Sequence, residues 1–239
     1  MPAPPLNIIC EREDFIVIDK PAGLRSVPAR GWREDPARKD SVEIRVQDMF
    51  SIYDDTPTIV HRLDMDTSGL MVVALNRLAH RALSRQFMHR KTAKTYTAEL
   101  LGEVDRDEGS IDLPLLVDWP NRPRHRPDFR EGKPARTLYR VTGRAAGRTR
   151  VSFRPITGRT HQLRVHAATP RCLVDVPPPE DHARRCAWPC RGGLGAPIAG
   201  DTLYAQGAGA DRLRLHADML AFFDPDSGQW LKFESPAPF

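Results

Sequence analysis

Residues 61 to 69, HRLDMDTSG, set a histidine, an arginine and two aspartates within six positions, directly ahead of the apolar run LMVVAL. An aspartate in such a setting can attack as a nucleophile or remove a proton as a general base. Asp64 and Asp66 both qualify. A glycosidase-like pair would need a controlled separation across the scissile bond, which adjacency in sequence does not supply. One working aspartate is the more economical reading. The plain structural alternative is a strand entrance held by ion pairs and a turn-stabilising Asp and Ser. Other chemistries lack their usual letters: there is no GxxxxGK[ST], no HExxH, no GxGxxG after the first strand signal and no GxSxG.

Several elements must position that segment. Phe15 to Ile18, in DFIVIDKPAG, read as a short strand stopped by Pro21 and Gly23. Ser41 is placed to cap a short helix lined by Val42, Ile44, Val46 and Met49. Leu70 to Leu75 read as a buried strand. In NRLAHRALSRQFMHRK the residues Leu78, Ala82, Leu83 and Phe87 fall at helical intervals, which gives an amphipathic helix with a basic opposite face. KTYTAELLGEV alternates Tyr96, Ala98 and Leu100 against Thr95, Thr97 and Glu99, as a half-buried strand does.

The stretch LPLLVDWPNRPRHRPDFREGKP carries Arg122, Arg124 and Arg126 among prolines and the aromatics Trp119 and Phe129. Proline removes backbone donors, so an ordered basic loop is expected here. ARTLYRVTG and RTRVSFRPI read as a hairpin. TGRTHQLRVHAA leans towards a helix capped by Thr160, with His161 and Arg164 on one face, while strand alternation fits the same letters nearly as well. LRLHADMLAFF and QWLKFESP, around DPDSG, read as a closing hairpin. Hairpins with two or three helices predict an α+β fold on a largely antiparallel sheet.

The chain has 239 residues, enough for one large domain, and one is expected. Lys and Arg number 36 against 31 Asp and Glu, a formal charge of +5 that favours a polyanionic partner. No apolar run approaches the roughly 18 to 20 residues of a membrane span, and the N-terminus lacks the pattern of a signal peptide, so a cytoplasmic protein is expected. Four cysteines are too few for a disulfide framework. Cys172, Cys186 and Cys190, with His182, share one Pro-rich stretch, where a surface loop with free thiols is favoured over metal ligation.

HRLDMDTSG resembles the signature of the RluA family of pseudouridine synthases, HRLD followed by one or two open positions and TSG. The resemblance runs along nearly the whole chain. DFIVIDKPAGLRSVPAR looks like the family's opening strand and loop, KTYTAELLG like its second motif and PITGRTHQLRVH like its third, with GDTLYA and LHADMLAFFDPDSGQWLKFESP at the close. The resemblance implies the pseudouridine synthase fold as a single catalytic domain over residues 1–239, without an N-terminal S4-type domain. DWPNRPR and EGKPARTLYRV look like the family's dual-specificity members, which modify position 746 of 23S rRNA and position 32 in the anticodon stem-loop of certain tRNAs. One departure is an expected insertion loop at 171–191, which is thermodynamically cheap at the surface.

The family's reaction breaks the uridine N1–C1′ bond, turns the uracil and rejoins it through C5, with no cofactor or metal. By resemblance Asp64 is the catalytic aspartate, and Asp66 fills a position the motif leaves open. Arg164 would keep that carboxylate ionised against the cost of burial. Tyr96 would pack on the target base. Arg62 would fill the space left by the flipped nucleotide. His61, Arg122, Arg124 and Arg126 would meet the RNA, through phosphates and splayed bases. A monomer is expected. A noncatalytic RNA-binding protein on the same scaffold is the competing reading.

Overall fold

A computed structural model describes residues 5–52, 56–171 and 192–239. In chain order its first elements are β1 (Asn7–Glu11), β2 (Phe15–Lys20), α1 (Val42–Phe50), β3 (Ser68–Ala74) and α2 (Arg77–Met88). Next come β4 (Ala93–Leu101), β5 (Glu108–Asp112), β6 (Leu115–Val117), β7 (His125–Pro127), β8 (Arg136–Ala145) and β9 (Arg148–Pro155). The last are α3 (Gln162–Ala168), β10 (Leu215–Phe223) and β11 (Trp230–Glu234). The described residues gather into two compact units, one formed by the chain up to Thr95 with His216–Phe239, the other by Tyr96–Leu215.

In the first unit β2 pairs antiparallel with β1 and β3, β3 pairs parallel with β10, and β10 pairs antiparallel with β11. Every residue of β3 is buried, which is why SGLMVVA reads as a continuous run and not as an alternation. Helix α2 covers one face of this sheet. Its Ala79 and Leu83 enter a core with Phe15, Val17, Leu70, Val72, Leu220 and Phe222, where Phe15 meets Phe222 edge to face. Burying each large side chain of that cluster contributes about 1.5–3 kcal/mol. Both helix starts are capped as their sequences suggest: Ser41 accepts from the Ile44 N–H, and Asn76 from the Ala79 N–H. Strand β1 escaped the sequence reading, because NIICE is a short edge strand whose residues are only half-buried or exposed.

The second unit carries the antiparallel order β4, β9, β8, β5, with a separate two-stranded ribbon of β6 and β7. In β4 the residues Tyr96, Ala98 and Leu100 are buried and alternate with half-buried neighbours, as the period-two pattern requires. The β8–β9 hairpin turns at Ala146 and Gly147, both at positive φ, as a tight hairpin turn demands.

Two expectations need correction. The basic stretch is not only a loop: β6 and β7 pair through Leu116↔Arg126 and Val117↔His125, and its tip is a 3-10 turn at Trp119–Asn121. Proline limits the length of this pairing without abolishing it. Second, α3 is not capped by Thr160. His161 precedes it at φ 54 with no side-chain cap, and Gln162, its first residue, instead anchors the turn before it, its Oε1 accepting from the Arg159 N–H and the Thr157 hydroxyl. Its Nε2 donates to the Arg136 carbonyl and Thr137 Oγ1. A buried amide can satisfy four partners at once, which no threonine can. The α+β expectation itself holds.

Candidate active site

Asp64 sits in a turn closed by the Thr67 N–H donating to the Asp64 carbonyl. The side chain is half-buried and that of Arg62 exposed. The backbone around them is clamped by the segment after β2. Ser26 Oγ donates to the Leu63 carbonyl at 2.7 Å and accepts from the Leu63 N–H at 3.1 Å. The fully buried Lys20 donates to the carbonyls of Met65, Leu24 and Pro21 at 2.8–2.9 Å, and the Gly23 N–H also reaches the Met65 carbonyl. Residues on both sides of Asp64 are thus held at the backbone, which fixes where its carboxylate can be.

The TSG letters have a separate task. Ser68 Oγ lies 2.9 Å from His216 Nδ1, and His216 Nε2 lies 3.2 Å from the Ser235 carbonyl. Gly69 pairs with Ala217 at φ 113, and a Cβ there would stand 2.4 Å from the Ala217 carbonyl oxygen. Only glycine meets both conditions. These residues tie the Asp64 turn to β10.

His61 is built into the fold. Its Nε2 accepts from the Val72 N–H, and its ring stacks on Phe87 of α2 with centroids 4.4 Å apart. Burial, helped by the nearby Lys94 charge, pushes its pKa down to about 3, so the ring is neutral at pH 7. Asp66 is half-buried in the same turn as Asp64.

In the second unit Tyr96 and Arg164 are both buried. Arg164 makes a two-pronged pair with Asp201, Nε to Oδ2 at 2.8 Å and Nη2 to Oδ1 at 2.7 Å. Burial opposes ionisation of Asp201. The Arg164 guanidinium and the N–H groups of Leu203 and Tyr204 outweigh it and hold the carboxyl below the usual range. Gly200 precedes it at φ 72, where a Cβ would collide with the Arg212 carbonyl. Tyr204 follows in the same turn. Its hydroxyl accepts from the His125 N–H at 2.8 Å and lies 3.0 Å from His161 Nδ1. Burial pushes this phenol up to about 12, so it stays protonated and can donate to His161.

Arg124 and Arg164 each approach the Tyr204 ring, with guanidinium carbons 5.3 and 5.4 Å from its centroid. Tyr204 therefore joins α3 to the basic ribbon. Arg122 lies 4.5 Å over Trp119, which is 66% exposed, and Arg126 pairs with Asp128 at 2.9 Å. Of the sequence candidates, then, His61, Arg62 and Asp64 share one turn of the first unit, and Arg124 and Arg164 share Tyr204 in the second. Sequence reasoning missed Lys20, Ser26, Asp201 and Tyr204. The last two stand in GDTLYA, a motif noticed for its letters and given no task. Among the described residues no cluster of three or more His, Cys, Asp or Glu stands ready to hold a metal ion. Cys172, Cys186, Cys190, His182 and the stretch 172–191 lie outside the described residues.

Residues 14–169 match the family described as RNA pseudouridylate synthase. The chain belongs to the RNA pseudouridylate synthase family. Over 236 residues it is 42% identical to the dual-specificity RNA pseudouridine synthase RluA of Yersinia pestis, covering 97% of this chain and 99% of that one. With the protein of the same name from Escherichia coli (strain K12) it is 42% identical over 243 residues, covering 100% and 96%. Among solved structures, human RNA pseudouridylate synthase domain containing 1 superposes with a TM-score of 0.71 at 25% identity, covering 100% of this chain and 87% of that one. Human RNA pseudouridylate synthase domain containing 4 gives 0.66 at 23% identity, covering 97% and 88%. The pseudouridine synthase fold and the isomerase class follow for this family member. Both Asp64 and Arg164 fall within the matched residues, and Asp201 and Tyr204 follow them in the chain.

Proposed function

We propose that this pseudouridine synthase is dually specific, modifying position 746 of 23S rRNA and position 32 of tRNA anticodon stem-loops, as a cytoplasmic monomer. The observation that carries the catalytic reading is Asp64: a half-buried carboxylate on a turn whose backbone is held on both sides by Lys20 and Ser26, beside an exposed arginine. The target range is supported by full-length similarity to relatives named for dual specificity.

In this mechanism the ionised Asp64 attacks the uridine or takes a sugar proton, and the N1–C1′ bond breaks. The uracil turns within the site, C5 bonds to C1′ as the bond to Asp64 breaks or the sugar proton is returned, and the proton lost from C5 is balanced by one taken up at N1. Tyr96 supplies a stacking face and a polar tip for that proton's departure. Arg62 occupies the gap left by the flipped nucleotide, offsetting an unstacking cost of a few kcal/mol. Arg164, oriented by Asp201, contributes positive charge, which favours an ionised aspartate. Arg122, Arg124 and Arg126 meet phosphates or splayed bases, with Trp119 as a stacking platform. His61, neutral and committed to Val72 and Phe87, serves the RNA by seating Arg62.

The test is product analysis on stem-loop RNAs of both types. Asp64→Asn abolishes pseudouridine while RNA binding stays within about tenfold, since one carboxylate adds little to a phosphate-dominated affinity. Asp66→Asn stays active. Loss of activity in the Asp66 variant alone removes the assignment. Release of free base or sugar points to a glycosidase, and binding without product to a noncatalytic scaffold. Mapping pseudouridine in cells with and without the protein decides the targets.

A further inference from the structure

Helix α2 carries Arg77, Arg81 and Arg85 at four-residue intervals, with His89 at its C-cap continuing the same stripe. Four-residue spacing puts side chains on one face, and this face extends roughly 18 Å. The helix contains no acidic residue. Like charges at that spacing disfavour a helix by about 0.2–0.5 kcal/mol per pair. Cations in the first turn also oppose the positive end of the helix dipole, and Arg77 stands there, where helix stability would prefer an acid. The Asn76 cap and the buried Ala79 and Leu83 hold the helix in spite of them. Arg81, Arg85 and Lys91 are exposed and make no ion pair with any described residue.

At the C-terminal end of α2 an open hollow of about 310 Å³ is lined by Arg85, Gln86, His89 and Lys91. The Gln86 amide is engaged with the backbone of Phe223, donating at 2.7 Å and accepting at 2.8 Å. What the hollow offers a ligand is therefore cationic. One contact links it to the candidate segment: Phe87, between Arg85 and His89, stacks on His61, three residues before Asp64 in the chain.

We infer that this face of α2 is a second phosphate-binding surface, along which the RNA strand flanking the reactive uridine runs, with one phosphate seated between Arg85, His89 and Lys91. The inference rests on the RNA-modifying reading above. It assigns α2 the strand beside the target, and leaves the β6–β7 ribbon to the rest of the RNA loop.

The test is the salt dependence of binding to a stem-loop RNA, read with the kinetics. The triple variant Arg81→Gln, Arg85→Gln, Lys91→Gln is compared with a triple of equal charge change elsewhere, Arg12→Gln, Arg140→Gln, Lys232→Gln. Each lost phosphate contact removes roughly 0.7–0.9 from the slope of log K against log salt, so the α2 triple loses about 2. Its KM rises by about tenfold at physiological salt while kcat at saturating RNA is unchanged. A charge-conserving triple, Arg81→Lys, Arg85→Lys, Lys91→Arg, keeps the wild-type slope and controls for folding. Equal slopes and KM in the α2 and control triples overturn the inference, as does a fall in kcat without a change in slope. Failure of the catalytic reading shows separately, as absence of pseudouridine from the wild-type protein, and the binding slope still reports on the surface.

Discussion

Asp201 sets the position of Arg164, a residue proposed for the catalytic site. Its carboxylate is wholly buried and its charge is matched by Arg164 through two short hydrogen bonds. Asp201→Asn leaves a buried guanidinium without its counter-charge, which costs about 3–5 kcal/mol. Denaturant unfolding measures this, and any surviving fold should lose activity through a misplaced Arg164. Asp201→Glu keeps the charge and recovers part of the stability. Ser26→Ala acts at the same scale on the other unit. It strips the Leu63 N–H and carbonyl of their partner, costing about 1–3 kcal/mol, and frees the Asp64 turn. Its kcat should fall more than its RNA affinity, which single-turnover assays and binding measurements separate.

At the scale of elements, β3 and α2 bear most of the weight. Leu83→Ala opens a cavity in the core shared by β2, β3, β10 and α2, and a loss of about 2–5 kcal/mol is expected from denaturant unfolding. Gly69→Ala should be worse than its one added carbon suggests, because the new Cβ meets the Ala217 backbone, which cannot swing aside as a side chain would. Much at this scale was legible in the letters. The Phe15 to Ile18 and Leu70 to Leu75 runs, the α2 periodicity, the alternation around Tyr96 and both hairpins announce themselves because burial imposes their periods. The parallel pairing of β3 with β10 is not legible, since it joins residues 148 positions apart. The cap of α3 was misread for a related reason. A threonine beside a helix start is a local signal, whereas the start of α3 is anchored by Gln162 reaching Arg136 and Thr137 on β8.

For the molecule as a whole, acid stability follows from its buried histidines. His166 is pushed down to about 4 by burial, against the pull of the Leu113 carbonyl, and His61 to about 3. Above the ordinary histidine value of 6.5 neither state binds the extra protons, so these groups add no pH dependence. Below it the unfolded chain takes up protons that the folded protein refuses, and stability falls until the folded values are reached. Asp201, held low, adds its own loss as pH drops below 3.8. Thermal melts should therefore drop steadily from about pH 6.5 towards 4. His166→Gln, which can keep the contacts to Thr137 and Leu113, should flatten part of that drop. Among the described residues no helix is long and apolar enough to cross a membrane.

The sequence by itself determined the family, the candidate aspartate and the basic character of the stretch around Arg122, Arg124 and Arg126, because these depend on residue types at short spacing. It distinguished Asp64 from Asp66 only through resemblance. The tertiary structure decided what holds each candidate in place: Lys20 and Ser26 for the Asp64 turn, Asp201 for Arg164, Tyr204 for Arg124, and Phe87 for His61. Those partners are 26 to 80 positions away in the chain. Hydrogen bonds and ring contacts at such separations exist only once burial has brought the elements together, so no local pattern encodes them.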